Sequence, residues 1–127
     1  MSRLTIVLDG DNVLQALQLV RGANLSVAEQ FLQRLELAAV RLDWEVTVVF
    51  DGVPRYFPRE TGPLIIQYAA PRQTADAVIE RLVYQTSDRS STVVVTQDRA
   101  EANLVLGLGA RVWSPHRLLE ELQQAVE

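Results

Sequence analysis

The sequence predicts an α/β fold of three layers, a mostly parallel sheet of about five strands with helices on both faces. Three observations carry this. Short β-branched runs alternate with longer amphipathic runs along the chain. The strand runs, such as Val46-Thr47-Val48-Val49-Phe50 and Val93-Val94-Val95, leave almost no polar face, which suits strands covered on both sides. Helix-length segments separate most strands, which implies right-handed crossovers.

Each element follows in order. Leu4 to Leu8 reads as a first strand ending in a carboxylate. Asn12 to Val20 reads as a short helix that Asp11 or Asn12 can cap, broken at Gly22-Ala23-Asn24. Ser26 opens a longer helix and Glu29 completes a capping box. Val27, Phe31, Leu35, Ala38 and Leu42 form its apolar stripe. Glu45 to Phe50 is a second strand, closed by Asp51-Gly52 and followed by a loop rich in Pro and Gly. Leu64 to Ala69 is a third strand. Ala75 to Gln85 is a helix, Thr92 to Thr96 a fourth strand, and Arg99 to Leu108 a helix closed by Gly107 and Gly109. Arg111-Val112-Trp113 is a last strand. Ser114 caps a terminal helix with Pro115 in its first position.

The 127 residues suit one domain, 1–127, and no cysteine is present. Disulfides, thiolate metal sites and a cysteine nucleophile are thereby excluded. No apolar stretch reaches the roughly 18 residues of a membrane helix, so the expectation is a cytoplasmic protein with no membrane contact. The net charge of −4 is unusual for a nucleic-acid binder, but clustered carboxylates at a metal site count as negative until an ion neutralises them. All twelve basic residues are arginine, whose fork matches phosphate oxygens, although surface arginine is common without such a role.

Open parallel sheets bind ligands beyond the carboxyl ends of their strands. Asp9, Asp51 and Asp98 stand at three such ends, and Asp76 lies in the first turn after the third strand. Asp11 and Glu80 lie near them. Any one of Asp9, Asp51, Asp76 and Asp98 alone reads equally well as a cap, a turn former or a first-turn acid, and Glu80 reads as an exposed helix residue. Four at one sheet edge repel unless a cation joins them. Oxygen-only ligands favour Mg²⁺ or Mn²⁺ over zinc. Asn12 is suited to orienting a ligand or to capping its helix. His116, the one histidine, reads as a surface residue.

Four stretches together resemble the PIN-like nucleases, in particular the YacP-like branch of the NYN group. Asp9-Gly10-Asp11-Asn12 resembles their D-G-x-N opening. Val48-Val49-Phe50-Asp51-Gly52 resembles their second-strand aspartate, Thr74-Ala75-Asp76-Ala77-Val78-Ile79-Glu80 their T-A-D-x-x-I-E, and Val93-Val94-Val95-Thr96-Gln97-Asp98 their strand ending in T-S-D. Asp11 departs from the pattern, where an aromatic residue is common, and Gln97 replaces a serine. The resemblance implies a PIN-like domain with strand order 3-2-1-4-5 and Mg²⁺- or Mn²⁺-dependent endoribonuclease chemistry. It implies Asp9, Asp76 and Asp98 as metal ligands, Asn12 as a residue holding the site, and Asp51 as a further ligand or an acid behind the ligands.

RNA, single-stranded or ribosome-associated, is the expected partner, and a homodimer is left open. Arg55, Arg72 and Arg99 lie near the active edge and are expected to meet phosphates, with Arg59 close by. Tyr56, Phe57 and Tyr68 are candidates for stacking on bases or for packing. Two other chemistries share parts of the pattern. Asp9-Gly10-Asp11 also resembles the opening motif of haloacid-dehalogenase-like phosphatases, and a response-regulator receiver also gathers acids at strand ends. The first calls for a lysine or an equivalent arginine and for a flap and cap that no segment after Asp11 has room for. The second calls for a lysine at the end of the last strand, where Trp113-Ser114-Pro115 stands, and the chain has no lysine. A non-catalytic RNA- or ribosome-binding module is the remaining alternative.

Overall fold

The computed structural model describes residues 3–126. Its elements are β1 (Thr5–Asp9), α1 (Gly10–Ala16), α2 (Ser26–Leu42), β2 (Glu45–Phe50), β3 (Leu64–Tyr68), α3 (Ala75–Gln85), a 3₁₀ turn at Arg89–Ser91, β4 (Thr92–Val95), α4 (Arg99–Gly107), β5 (Arg111–Trp113) and α5 (Pro115–Val126). The strands form one parallel sheet in the order β3-β2-β1-β4-β5. This is the predicted architecture and order. No helix among the described residues is long and apolar enough to cross a membrane.

Strand alternation divides the core in two. Ile6, Leu8, Val46, Val48, Phe50, Val93 and Val95 face α1, α2 and α5 and pack with Leu14, Leu32, Leu35, Leu118 and Leu122. Val7, Val49 and Val94 face α3 and α4 and pack with Val78, Ile79, Val83 and Val105. Asp9, two residues beyond Val7, falls on the α3 and α4 side. The sheet order puts β1 at the centre, so its carboxyl end lies where the chain runs from one side of the sheet to the other.

Three local expectations are corrected. The first helix ends at Ala16 rather than Val20, because Gln18 turns left-handed (φ 57°) and the Leu19 N–H closes on the Leu14 carbonyl at 2.8 Å. This closure lets Leu17 and Leu19 fold back onto the core. The Ser26–Glu29 capping box does not form. Asn24 Oδ1 accepts from both the Ser26 N–H and its hydroxyl, while Glu29 pairs with Arg59 at 3.1 Å. Neither Asp11 nor Asn12 caps the first helix, whose N-cap is Asp9 without a side-chain bond. Two other caps follow expectation: Ser114 accepts from Arg117 N, and Gly109 takes the left-handed position (φ 99°) after α4.

Candidate metal centre

Three carboxylates from three elements converge at the carboxyl end of β1. Asp9 ends that strand, Asp76 is the second residue of α3 and Glu101 the third of α4. One oxygen from each lies within 4.8 Å of the others. Both helices direct their amino ends here, and the positive end of a helix dipole favours acids in its first turn.

Two of the three acids are buried, Asp9 at 7% exposure and Glu101 at 6%, while Asp76 is exposed. With Glu101 ionised, neither of its carboxyl oxygens has a hydrogen-bond partner among the described residues. Burial holds the Asp9 carboxyl up at about 6, against the lowering effect of a side-chain hydrogen bond with Glu101. Burial likewise pushes Glu101 up to about 10, helped by hydrogen bonds to Asp76 and Asp9 and by their charges. Those bonds need a proton on Glu101. With all three acids ionised there is no donor among them, and the Glu101 oxygens stand unpartnered. Buried oxygens of this kind, drawn from an all-carboxylate set, fit a hard divalent cation.

Asp9 and Asp76, two of the acids singled out from sequence, meet here, and Glu101 joins them unforeseen. Asp51 and Asp98 lie outside the group gathered within 4.8 Å. Each instead receives backbone N–H groups at the start of a helix that carries one of its acids. Asp51 Oδ1 accepts from Ala75 N at 2.9 Å, beside Asp76. Asp98 Oδ1 accepts from Ala100 N at 2.9 Å and from Glu101 N at 3.2 Å. Thr74 caps α3 as well, accepting from Ala77 N.

Asn12 does not cap its own helix. Its Oδ1 accepts from Gln97 N at 2.7 Å and from the Thr96 hydroxyl at 3.5 Å, and Thr96 Oγ1 accepts from Asp98 N. These bonds tie the end of β4 to the start of α1. Asp11 is also spent internally, accepting from Asp51 N at 3.0 Å and from Arg55. Glu80 is exposed on the rim of a shallow cleft with Asp76, Glu101 and Leu104.

The predicted RNA contacts divide by surroundings. Arg55 is half-buried, bonded to Asp11 and to the Asp51 carbonyl, with its guanidinium over Phe50 and Tyr56. Tyr56 and Tyr68 pack on Phe50. Arg59 is buried and pairs with Glu29. Phe57 is 70% exposed, and Arg72, Arg99 and His116 are also exposed.

The family model for the YacP-like NYN domain matches residues 6–127. No curated protein matches the chain in sequence. The crystal structure of Rae1 (YacP) from Bacillus subtilis superposes with a TM-score of 0.78 and 23% identity, over 98% of this chain and 75% of that one. A single-residue mutant of the same Bacillus subtilis protein gives a TM-score of 0.77 and 23% identity, over 96% of this chain and 76% of that one. At that identity the superposition speaks for the fold, and the sequence match speaks for descent. The chain belongs to the YacP-like NYN domain family, a branch of the PIN-like nucleases.

Proposed function

We propose that this protein is an endoribonuclease dependent on Mg²⁺ or Mn²⁺, with Asp9, Asp76 and Glu101 as the residues that hold the ion. The carrying observation is Glu101, a buried glutamate with two unpartnered oxygens aimed at two other acids. An isolated buried carboxylate is too costly to keep without a compensating charge. When bound, the ion supplies Lewis acidity at a phosphodiester and a water acid enough to attack it.

The chain's own groups complete the site. Asp9, Asp76 and Glu101 bind through oxygen from three elements fixed in the core. Asp98 gives one oxygen to a helix cap and keeps the other for the water shell that Mg²⁺ retains, and Asp51 fixes the start of α3 through Ala75 N. Asn12 sets the distance between the ends of β1 and β4. Arg72 and Arg99 flank the acids in sequence, are exposed, and hold phosphates of a bound strand. Arg72 sits in a turn closed by Gln73 N on the Ala70 carbonyl, with φ 70°. Glycine is the usual residue there, and an arginine at such a position is consistent with a role for its side chain. Arg55, already bonded to Asp11, acts on the loop.

The phosphatase reading loses its second acid, because Asp11 is bonded to Arg55 and Asp51 N rather than standing free. The test is cleavage of a pool of single-stranded and structured RNAs with Mn²⁺, Mg²⁺ or EDTA, beside Asp9→Asn and Glu101→Gln. Cutting that needs the ion and disappears in both variants supports the reading. Equal cutting by the variants removes it. Ion and RNA binding without cutting favours the binding module.

A further inference from the structure

Asp51 has both of its backbone polar groups gripped from outside its own strand. Its N–H donates to Asp11 Oδ2 at 3.0 Å, and its carbonyl accepts from Arg55 Nη1 at 2.9 Å. Asp11 Oδ1 closes the ring by accepting from Arg55 Nη2. The guanidinium lies 5.0 Å from the Phe50 ring centroid, 5.1 Å from that of Tyr56 and 6.0 Å from that of Tyr68. Tyr68 also fixes the loop, its hydroxyl accepting from Arg55 N and Tyr56 N at 3.1 Å.

The floor beneath this ring is tightly packed. Phe50 is fully buried, and Gly10 packs so closely that a Cβ there would meet the Phe50 ring at 2.5 Å. Asp11 therefore leaves the main chain at a height set by Phe50. A charged pair that is half-buried and stacked on aromatic rings has few alternative arrangements, and Arg offers the fork needed to hold two acceptors at once. The chain of contacts then runs outward from Asp51. Its carboxylate accepts from Ala75 N, and the next residue is Asp76.

We propose that Asp11 and Arg55 form a positioning clasp that sets Asp76 against Asp9 and Glu101 through Asp51. This rests on the reading of those three acids as the ion's ligands. The clasp touches none of them directly. Its effect is carried by one capping oxygen and by the angle at which α3 enters the site.

The test is a double-mutant cycle read as Mn²⁺ affinity of the whole protein, by calorimetry without RNA. The reading of the site is checked first: wild type binds Mn²⁺ and Asp9→Asn does not. Failure there sinks the site rather than the clasp. Arg55→Ala is expected to weaken Mn²⁺ binding roughly tenfold, the loss typical for a partner one shell out from a metal. Asp51→Ala should do the same, and the double variant should be no worse than either alone. Asp51→Asn, which keeps an accepting oxygen for Ala75 N, should restore most of the affinity. Asp11→Ala, paired with Asp51→Ala in the same way, repeats the cycle should Arg55→Ala not fold. Losses that add, or an unchanged affinity in the clasp variants, overturn the proposal.

Discussion

Glu101 occupies a position where helix periodicity calls for an aliphatic side chain. It shares the inward face of α4 with buried Val105 and half-buried Leu108, four and seven residues on. Its protonation makes a prediction whose sign follows from the folded values. The unfolded chain releases the Asp9 and Glu101 protons near pH 4, by the ordinary carboxyl range. In the fold the corresponding values are about 6 and about 10. Above pH 4 the metal-free fold therefore holds protons that the unfolded chain has lost, and stability falls as pH rises. Asp9 alone contributes on the order of 1 kcal/mol at pH 5, below its folded value, and this is gone by pH 8. Glu101 acts in the same direction. Urea unfolding in EDTA should give a lower free energy at pH 8 than at pH 5, with a flatter profile in Glu101→Gln. Saturating Mn²⁺ should remove the decline, since the ion takes the place of the protons. Stability that climbs between pH 5 and 8 without metal would contradict the buried acidic centre.

Among the elements, the helix starts decide which acids do what, and this is where the sequence was only half legible. The strands could be read because β-branched runs without a polar face have few other uses, and their carboxyl ends located Asp9, Asp51 and Asp98. Asp76 was legible from its place in the first turn after a strand. What spacing could not tell is which carboxylate oxygen faces which N–H across the sheet. Asp51 meets Ala75, 24 residues away, and Asn12 meets Gln97, 85 away. Glu101 was missed for a local reason. Asp98-x-x-Glu101 has the spacing of a capping box, so the glutamate reads as a solvated first-turn acid. Its place on the Val105 stripe was the available signal. The short reach of α1 was illegible because packing of Leu17 and Leu19 sets its end. A paired substitution separates the cap from the charge at Asp98. Asp98→Asn keeps an oxygen for Ala100 and Glu101 N–H, so thermal stability should hold while Mn²⁺ affinity drops roughly tenfold, as for a residue acting on the ion's water shell. Asp98→Ala should lose the affinity and about 1 kcal/mol of stability as well. Full Mn²⁺ affinity in Asp98→Asn would leave this residue with its cap alone.

For the molecule as a whole, the net charge of −4 sets a problem that a polyanion must meet at one edge. Asp9, Asp11, Asp51, Asp76, Asp98 and Glu101 lie at or beside that edge, and of these Asp11 has its own arginine. Without an ion the edge repels phosphate. With the acids neutralised, exposed Arg72 and Arg99 dominate the local field. Binding of RNA should therefore depend on the ion before any bond is cut. This can be measured with a single-stranded oligonucleotide made uncleavable, by fluorescence anisotropy across a salt series. Affinity should rise at least tenfold from EDTA to saturating Mn²⁺. Arg72→Gly relieves the φ of 70° in its turn, so its fold should be at least as stable as wild type. Combined with Arg99→Gln, it should flatten the salt dependence by about 1.4 in log–log slope, the share of two phosphate contacts on a single strand. A slope that does not change would move the RNA path away from these arginines. Binding as tight in EDTA as in Mn²⁺ would mean that the strand is held elsewhere on the surface, and that the acidic edge meets it only at the scissile phosphate.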